Sequence, residues 1–362
     1  MNNFKKKYLS KSEAPYFISE IGINHNGKLS LAIELIKKSK KIGCSAVKFQ
    51  KRDADDLIAF HEQPQKPNGY LSKNSKDIPK ESKKTKFGKW VYPDTRLELT
   101  KNDYKKIKKL CNRIKIDLII TPWDESSVDF VIKLGVKCIK IASIDANNYH
   151  FCNYIAKKKK PTIISTGMCT YDDLLITNKI FNKYKTPHMF LHCTSSYPSK
   201  NDEKHLNCIP KLKKLLKTDI GFSGHGRSFI GSAGAIALGC DVIEKHVTLN
   251  KNMSGPDHNA SLDVDEFLKT IEVGNEIKKA LGSDKKSFLK SEKVLNSILL
   301  RHLSIKRDIK VNSRLNIKDI KPVLTMNKKN SILPKDLFKV LGKKFKKSLK
   351  KGEILKYNHL KI

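Results

Sequence analysis

Two histidines stand 21 residues apart in the chain, and each follows a short apolar run. His225 comes after IGFSG and His246 after VIEK, and both runs are typical of strands buried in a parallel sheet. In a barrel of alternating strands and helices, the carboxyl ends of the strands meet at one face. Two imidazoles brought together there predict a divalent metal site with positions left open for a substrate.

Two lysines lie inside apolar strands, Lys48 within VKF and Lys140 within IKI. A lone lysine is more commonly a side chain that reaches the solvent along an apolar surface. Burial of an ammonium group in a strand is costly unless a partner compensates it, which favours a functional interpretation. Lysine binds phosphate as a point charge, so the pair predicts a phosphorylated or carboxylated substrate.

Short apolar runs recur along the chain, and most are followed by a helical stretch. The predicted strands cover residues 16–21, 46–50, 117–121, 138–142, 162–165, 189–193, 219–222 and 241–244. Helical character is clearest at residues 29–42, 104–114, 126–134 and 230–238. This alternation predicts an α/β fold, a (β/α)8 TIM barrel. A doubly wound open sheet is the alternative, but its glycine-rich phosphate-binding turn is missing from the sequence.

The chain divides by its pattern into a barrel at residues 1–284, a charged linker at 285–300 and a small, mainly β module at 301–362. A helix over residues 264–281 is expected to complete the barrel domain. The module is small enough for its core to be marginal, so we expect it to dock on another surface. A polar insertion at about residues 51–100 is predicted to be a loop at the catalytic face that acts as a lid.

Composition excludes several classes of protein. No apolar run is long enough for a membrane helix, and no apolar segment of a signal peptide follows the basic start. The eight cysteines form no Cys-x-x-Cys pair, which indicates reduced thiols in the cytoplasm. The net charge of +37 comes from dispersed lysines without interleaved aromatic residues, so we expect neither a nucleic-acid nor a membrane partner.

Seven motifs in order resemble the sialic acid synthase family, the phosphoenolpyruvate-dependent nonulosonate synthases. They are ISEIGINHNG at 18–27, VKFQ at 47–50, ISTGM at 164–168, HCTSSYP at 192–198, GFSGH at 221–225, IEKH at 243–246 and GPDHNASL at 255–262. The resemblance covers the barrel and, more weakly, the C-terminal module, which resembles the antifreeze-like (β-clip) domain of that family. It implies a homodimer in which the small domain of each subunit caps the barrel of the other.

The resemblance also implies a reaction. The C3 atom of phosphoenolpyruvate condenses with the aldehyde of an N-acetylmannosamine-type sugar, and phosphate leaves as a sialic acid-like nonulosonate forms. A divalent ion, Mn²⁺ or Mg²⁺, would bind His225 and His246, polarise the aldehyde and activate water. Glu20 would carry out acid–base work near the reacting carbons.

Carried over position by position, the resemblance assigns the other site residues. Phosphoenolpyruvate would be held by Lys48, Thr121, Lys140, Ser143, Ser165 and Ser223. The sugar or the reacting water would be contacted by Gln50, Asp145, Tyr197 and Asp257. The implied catalytic set is Glu20, Asp145, His225 and His246. Glu244 shares a strand face with His246 and could support it from behind, whereas His192 is interpreted as a core histidine.

Departures from the family pattern leave several sugars as alternative substrates. Asp145 stands where many bacterial members have glutamate, and Ser195 where they have asparagine. No arginine follows Arg314, so the family's arginine contact to the N-acetyl group is lost or taken over by lysine. The alternatives are a diacetamido-trideoxyhexose, as for legionaminate- or pseudaminate-type synthases, or a 6-phosphorylated sugar, because residues 87–98 resemble the animal branch. A basic RNA-binding barrel and a barrel that has lost catalysis are the rivals outside this reaction.

Overall fold

The structure is a computed structural model that describes residues 3–53 and 97–361. It divides the chain into two compact units, Met1–Gly282 and Ser283–Ile362. The proposed lid falls mostly on residues 54–96 and therefore lies outside the described residues. Among the described residues, no helix combines the length and apolar character that crossing a bilayer requires.

The first unit is a closed barrel of eight parallel strands in sequential order, which confirms the predicted TIM barrel. Its strands are β1 Tyr16–Gly22, β2 Ala46–Lys51, β3 Asp117–Pro122, β4 Ile139–Ile141, β5 Thr162–Ser165, β6 His188–Cys193, β7 Ile220–Gly224 and β8 Val242–His246. Every strand that sequence patterning predicted is present, within about two residues at each end. Runs of β-branched and aromatic residues form these strands because both faces of the sheet are covered.

Helices follow the strands and cover the outside of the barrel. They are α1 Leu29–Lys41, α2 Lys101–Ile114, α3 Glu125–Leu134, α4 Tyr149–Lys157, α5 Tyr171–Lys183, α6 Cys208–Leu216, α7 Ile230–Ala237 and α8 Val264–Leu281. Side-chain caps define several starts: Thr100 and Asp103 form a capping box at α2, and Asp263 and Glu266 do so at α8.

The two faces of the barrel strands bury different sets of side chains. Outward residues such as Phe17, Val47 and Phe190 pack against the helices. Inward residues such as Ile18 and Ala46 form a separate apolar cluster, and the N-terminal segment contributes to it. Because side chains alternate along a strand, the next inward positions are two residues further on. Those positions are polar, and they are Glu20, Lys48, Thr121, Lys140, Ser165, Cys193, Ser223 and Glu244.

The second unit is small and has its own core, which includes Leu303, Ile305, Phe345 and Leu360. Its described elements are α9 Lys293–Leu299, β9 His302–Ile305, β10 Ile320–Val323 and α10 Leu337–Val340. The two strands pair antiparallel, and isolated bridges join other extended segments to them. Helix α9 lies in the second half of the stretch 285–300 that the sequence pattern assigned to a linker.

Gly221 provides a test of the strand packing. A Cβ atom at this position would lie 2.5 Å from Leu191 Cδ2 and 2.5 Å from the Val242 carbonyl oxygen, and the backbone of β8 cannot move aside cheaply. We expect Gly221→Ala to lower the free energy of unfolding by about 1–3 kcal/mol in urea titrations.

Gly234 in helix α7 is the matched control. There the nearest atom to an added Cβ is Leu206 Cδ1 at 2.6 Å, the end of a flexible side chain. Gly234→Ala should range from neutral to a stabilisation of about 1 kcal/mol, since alanine is the better helix former. Equal unfolding midpoints for the two variants would contradict this account of the barrel packing.

Candidate active site

Four charged side chains meet at the carboxyl end of the barrel. Lys48 Nζ lies 2.9 Å from Glu20 Oε2 and 3.5 Å from Glu244 Oε1. Lys140 Nζ lies 4.0 Å from the same Glu244 oxygen. All four residues are buried, with 1–4% of each exposed. Strand register produces this cluster, because Glu20 on β1 is level with Lys48 on β2 and with His246 on β8.

The hydroxyl groups predicted to hold a substrate surround these ammonium groups. Lys48 Nζ donates to Thr121 Oγ1 at 3.1 Å, and Lys140 Nζ donates to Ser165 Oγ at 2.6 Å. Ser223 Oγ donates to Glu244 Oε1 at 3.2 Å. Ammonium and hydroxyl donors therefore lie together at the carboxyl end of the barrel, which is the arrangement that an anion with several oxygens requires.

The two lysines are held differently. Burial lowers the pKa of Lys48, but Glu20 and Glu244 more than compensate and raise the pKa above its usual value. Burial also lowers the pKa of Lys140, and there the attraction of Glu244 only partly compensates, so the pKa stays below its usual value. The number of nearby carboxylates decides the sign in each case.

The two histidines lie side by side at the ends of β7 and β8. Their ring centroids are 5.4 Å apart. His225 Nδ1 contacts the Thr194 carbonyl oxygen at 3.0 Å, and Nε2 lies 2.9 Å from the Tyr197 hydroxyl. If Nδ1–H donates to this carbonyl, as in many metal sites, the lone pair is on Nε2, where it accepts from the Tyr197 hydroxyl and could bind a metal only in place of that hydrogen bond.

His246 has an unusual environment for a buried imidazole. Its Nδ1 has no hydrogen-bond partner among the described residues, and the nearest carboxylate oxygen, Asp257 Oδ2, is 3.7 Å away. Burial lowers the pKa of His246 to about 4 despite the opposing charge of Asp257. The described residues contain no group of three or more histidine, cysteine and carboxylate side chains arranged for a metal ion. The pair therefore fits a divalent ion only if water or substrate completes the coordination.

Gly22 allows three further candidates to approach one another. It has φ +55°, and a Cβ atom there would lie 3.2 Å from Glu20 Oε1, 3.3 Å from Gln50 Nε2 and 3.4 Å from Asp257 Oδ2. Gln50 Nε2 donates to Glu20 Oε1 at 3.1 Å. A glycine in the left-handed region thus places the proposed acid–base carboxylate beside the two proposed sugar contacts.

Gly167 leaves room for two serine hydroxyls at the end of β5. A Cβ atom on it would lie 2.2 Å from Ser195 Oγ and 2.8 Å from Ser143 Oγ. Ser143 Oγ also lies 3.5 Å from Cys193 Sγ, which connects it to the histidine side of the cavity. The structure thus brings Ser143 to the same mouth as the other substrate-binding candidates.

Asp145 and Tyr197 are the most peripheral of the predicted residues. Asp145 accepts a hydrogen bond from Asn148 Nδ2 at 3.1 Å, and burial raises its pKa. Asn148, not Asp145, caps helix α4. Tyr197 is 46% exposed, and its ring stacks 4.2 Å from that of His225. The Asp145 carboxylate therefore stands apart from the charged cluster, whereas Tyr197 covers the imidazoles.

Two residues of the site were missed in the sequence. Cys193 Sγ lies 3.7 Å from His225 Nδ1; burial alone would raise the pKa of the thiol, but His225 lowers it to about 7. Burial lowers the pKa of His225, but Cys193, the Thr194 carbonyl and Glu244 together more than compensate and raise it. Arg52 donates to Gln50 Oε1 and stacks 4.6 Å from the Trp123 ring. Cys193 lies two residues after the inward-facing Leu191 on β6, so the alternation of side chains along a strand could have predicted that it faces the site.

His192 and Glu244 show how well strand alternation predicts orientation. The ring of His192 is buried on the outer face of β6, and its Nε2 lies 2.7 Å from the Lys204 carbonyl oxygen, which confirms the core interpretation. Glu244 points inward beside Lys48 and Lys140, so it pairs with the lysines rather than supporting His246 from behind.

Comparisons with known proteins agree on one family. The model of the NeuB family matches residues 35–286. The chain is 30% identical to the N,N'-diacetyllegionaminic acid synthase of Legionella pneumophila, over 95% of this chain and 94% of that protein. It is 31% identical to the N-acetylneuraminate-9-phosphate synthase of Mus musculus, over 91% of this chain and 88% of that protein.

A solved structure leads to the same conclusion. The N-acetylneuraminic acid synthetase of Leptospira borgpetersenii, in complex with citrate, superposes with a TM-score of 0.66 at 26% identity. The superposition covers 79% of this chain and 92% of that chain. The chain therefore belongs to the NeuB family of sialic acid synthase-type enzymes.

Proposed function

We propose that this enzyme condenses phosphoenolpyruvate with an N-acetylmannosamine-type sugar and water to give a sialic acid-like nonulosonate and phosphate. The observation that carries the proposal is the meeting of two buried ammonium groups with two imidazoles at one cavity mouth. Membership of the NeuB family and the synthases among the relatives support the reaction class. In the reaction, phosphoenolpyruvate C3 bonds to the aldehyde carbon, water adds at C2 and phosphate leaves.

The charged cluster is suited to the anionic substrate. Lys48 and Lys140 would neutralise its carboxylate and phosphate, and hydroxyl groups would orient its oxygens. Those hydroxyl groups belong to Thr121, Ser143, Ser165 and Ser223. A dry cavity strengthens these attractions, because the low local dielectric screens them less than bulk water does.

The remaining candidates lie on the sugar side of the cavity. Glu20 would transfer a proton near the reacting carbons, and Gln50 orients it through the hydrogen bond from Nε2. Asp257 and Tyr197 stand next to the imidazoles, where the aldehyde or the reacting water would bind. Asp145 would contact the sugar from its outer edge.

The imidazole pair is the proposed metal site. We propose that Mn²⁺ or Mg²⁺ binds His225 and His246. The Nδ1 atom of His246, which has no hydrogen-bond partner among the described residues, is suited to ligate a metal. When bound, the ion supplies Lewis-acid polarisation of the aldehyde and activation of water. The chain itself contributes a fixed imidazole orientation through the Thr194 carbonyl.

The C-terminal unit is proposed to be an antifreeze-like domain that acts in a homodimer. Helix α9 contributes no buried residue, and Val294, Leu295, Ile298 and Leu299 are 53–70% exposed. An apolar surface of this kind on a small domain is typical of an interface. A second copy of the chain is the proposed partner, with the small domains exchanged between subunits.

All eight cysteines are free thiols, which supports action in the reducing cytoplasm.

The sugar is tested by phosphate release. Purified enzyme with phosphoenolpyruvate and Mn²⁺ should release phosphate with N-acetylmannosamine in preference to its 6-phosphate and to a diacetamido-trideoxyhexose. Preference for the diacetamido sugar would favour a legionaminic acid product, as in the name of the Legionella relative. Preference for the 6-phosphate would favour a 9-phosphate product, as in the name of the mouse relative. Release with none of the three would overturn the proposed function.

The metal is tested with the histidines. His225→Gln and His246→Gln should each weaken Mn²⁺ binding in calorimetry and lower turnover by at least about 100-fold, since each removes one of two protein ligands. His150 is a matched control because it lies in the same unit and its side chain is 87% exposed. If His150→Gln has the same effect, or if chelator-treated enzyme keeps full turnover, the metal proposal is wrong.

The dimer is tested on helix α9. Burial of one leucine or isoleucine side chain is worth about 1.5–3 kcal/mol, so Leu295→Glu with Ile298→Glu should raise the dimer dissociation constant by at least about 100-fold. Sedimentation velocity measures this, and Lys293→Glu on the same helix is the control for added negative charge. A wild-type protein that sediments as a monomer would refute the interface.

A further inference from the structure

Glu244 is a buried carboxylate for which the proposed reaction has no role. It lies on β8, with 4% of the residue exposed. Its Oε1 accepts from Ser223 and lies 3.5 Å from Lys48 Nζ and 4.0 Å from Lys140 Nζ. A carboxylate at the bottom of an anion-binding cavity repels the ligand, so its presence there needs a physical reason.

Lys140 has few sources of negative charge. Its Nζ donates to Ser165 Oγ on β5 and to the Ile141 carbonyl, which are both neutral. Glu244 on β8 is the one carboxylate within 4.0 Å of Lys140 Nζ among the described residues. Further away, Glu20 on β1 and Cys193 on β6 favour the ammonium form, and Lys48 on β2 opposes it.

Lys48 does not depend on Glu244 in the same way. Glu20 Oε2 lies 2.9 Å from Lys48 Nζ and compensates its charge directly. If Glu244 were neutral, Lys48 would keep one close carboxylate, whereas Lys140 would face the positive charge of Lys48 with none nearby. The two lysines of the cavity are therefore unequal, and Glu244 matters most to Lys140.

We propose that Glu244 is the counter-charge that keeps Lys140 in its ammonium form, ready to bind the anionic substrate. This inference rests on the proposed function, because it assigns the Lys140 ammonium to phosphoenolpyruvate. Glu244 is thus a positioning residue that acts through Lys140 without touching the substrate. The repulsion it exerts on the anion is the smaller effect, because a neutral Lys140 would contribute no charge to binding at all.

The direction of the pH dependence follows from the burial of Lys140. Burial lowers the pKa of Lys140, and Glu244 raises it again in part. Without Glu244 the pKa falls further, so Lys140 loses its proton at a lower pH than in the wild type. Substrate affinity in such a variant is then retained at low pH and lost as the pH rises.

The experiment compares Glu244→Gln with the wild type by calorimetric titration of phosphoenolpyruvate across about pH 6 to 9. The ratio of dissociation constants, variant to wild type, cancels the ligand's own titration. It should rise about tenfold per pH unit between the two Lys140 pKa values, because binding then takes up one proton. A ratio that is the same at every pH would overturn the proposal and leave Glu244 a packing role.

The Lys140→Arg substitution provides the decisive control. A guanidinium group stays protonated over this pH range and needs no counter-charge for that. The dissociation constant of the double variant, K140R with E244Q, divided by that of K140R alone should therefore be independent of pH, even if arginine weakens binding. A pH slope that persists between these two variants would mean that another group titrates, and the proposal would be wrong.

Two further measurements separate this inference from its premise. If E244Q does not fold, E244D replaces it, because aspartate keeps the charge but holds it one carbon further from Lys140. The ratio of dissociation constants for E244D should rise with pH as for E244Q, but by less. A ratio for E244D that does not change with pH would overturn the proposal. Wild-type protein that neither binds nor turns over phosphoenolpyruvate would overturn the proposed function and this inference together. Wild-type binding with a flat variant ratio would overturn only the role of Glu244.

Discussion

Burial of two ammonium groups beside two carboxylates is the constraint on which the rest of the site depends. An unpaired ion in an apolar interior costs several kcal/mol, so Lys48 and Lys140 can occupy the barrel only where carboxylates lie close to them. Parallel register sets Glu20 level with Lys48. Glu244 is level with Ile18, and its Oε1 lies 3.5 Å from Lys48 Nζ and 4.0 Å from Lys140 Nζ. The apolar cluster below this layer closes the barrel and keeps water out of the cavity from that side.

The site has an enclosed side, formed by the strands, and an exposed side, formed by the segments that follow them. The lysines and their hydroxyl partners are enclosed by strands, so few geometries would be available to the proposed anionic substrate. Tyr197 and Ser195 lie on a loop, Asp145 ends a short 3-10 helix, and Tyr197 is 46% exposed. Loops carry specificity on a fixed scaffold, so members of one family can differ at these positions while they share the reaction.

Much of this could be predicted from the sequence because strand patterns act locally. Alternation of side chains along β1, β2, β4 and β8 places Glu20, Lys48, Lys140 and Glu244 on one face of the sheet, and the barrel turns that face inward. Helix α8 has the predicted bounds of 264 and 281, and the structure shows that Asp263 caps its start and Gly282 its end. Helix α9 was missed because its apolar residues lie in a lysine-rich stretch that reads as a linker.

The sequence by itself determined the number and order of the strands, the inward polar residues and the family. Only the tertiary structure decided which charges pair, that Glu244 lies beside Lys48 and Lys140, and that Gly22 and Gly167 leave space for converging side chains. The physical reason is the range of the interactions. Strand formation depends on neighbours a few residues away, whereas an ion pair depends on distances between strands that lie far apart in the chain.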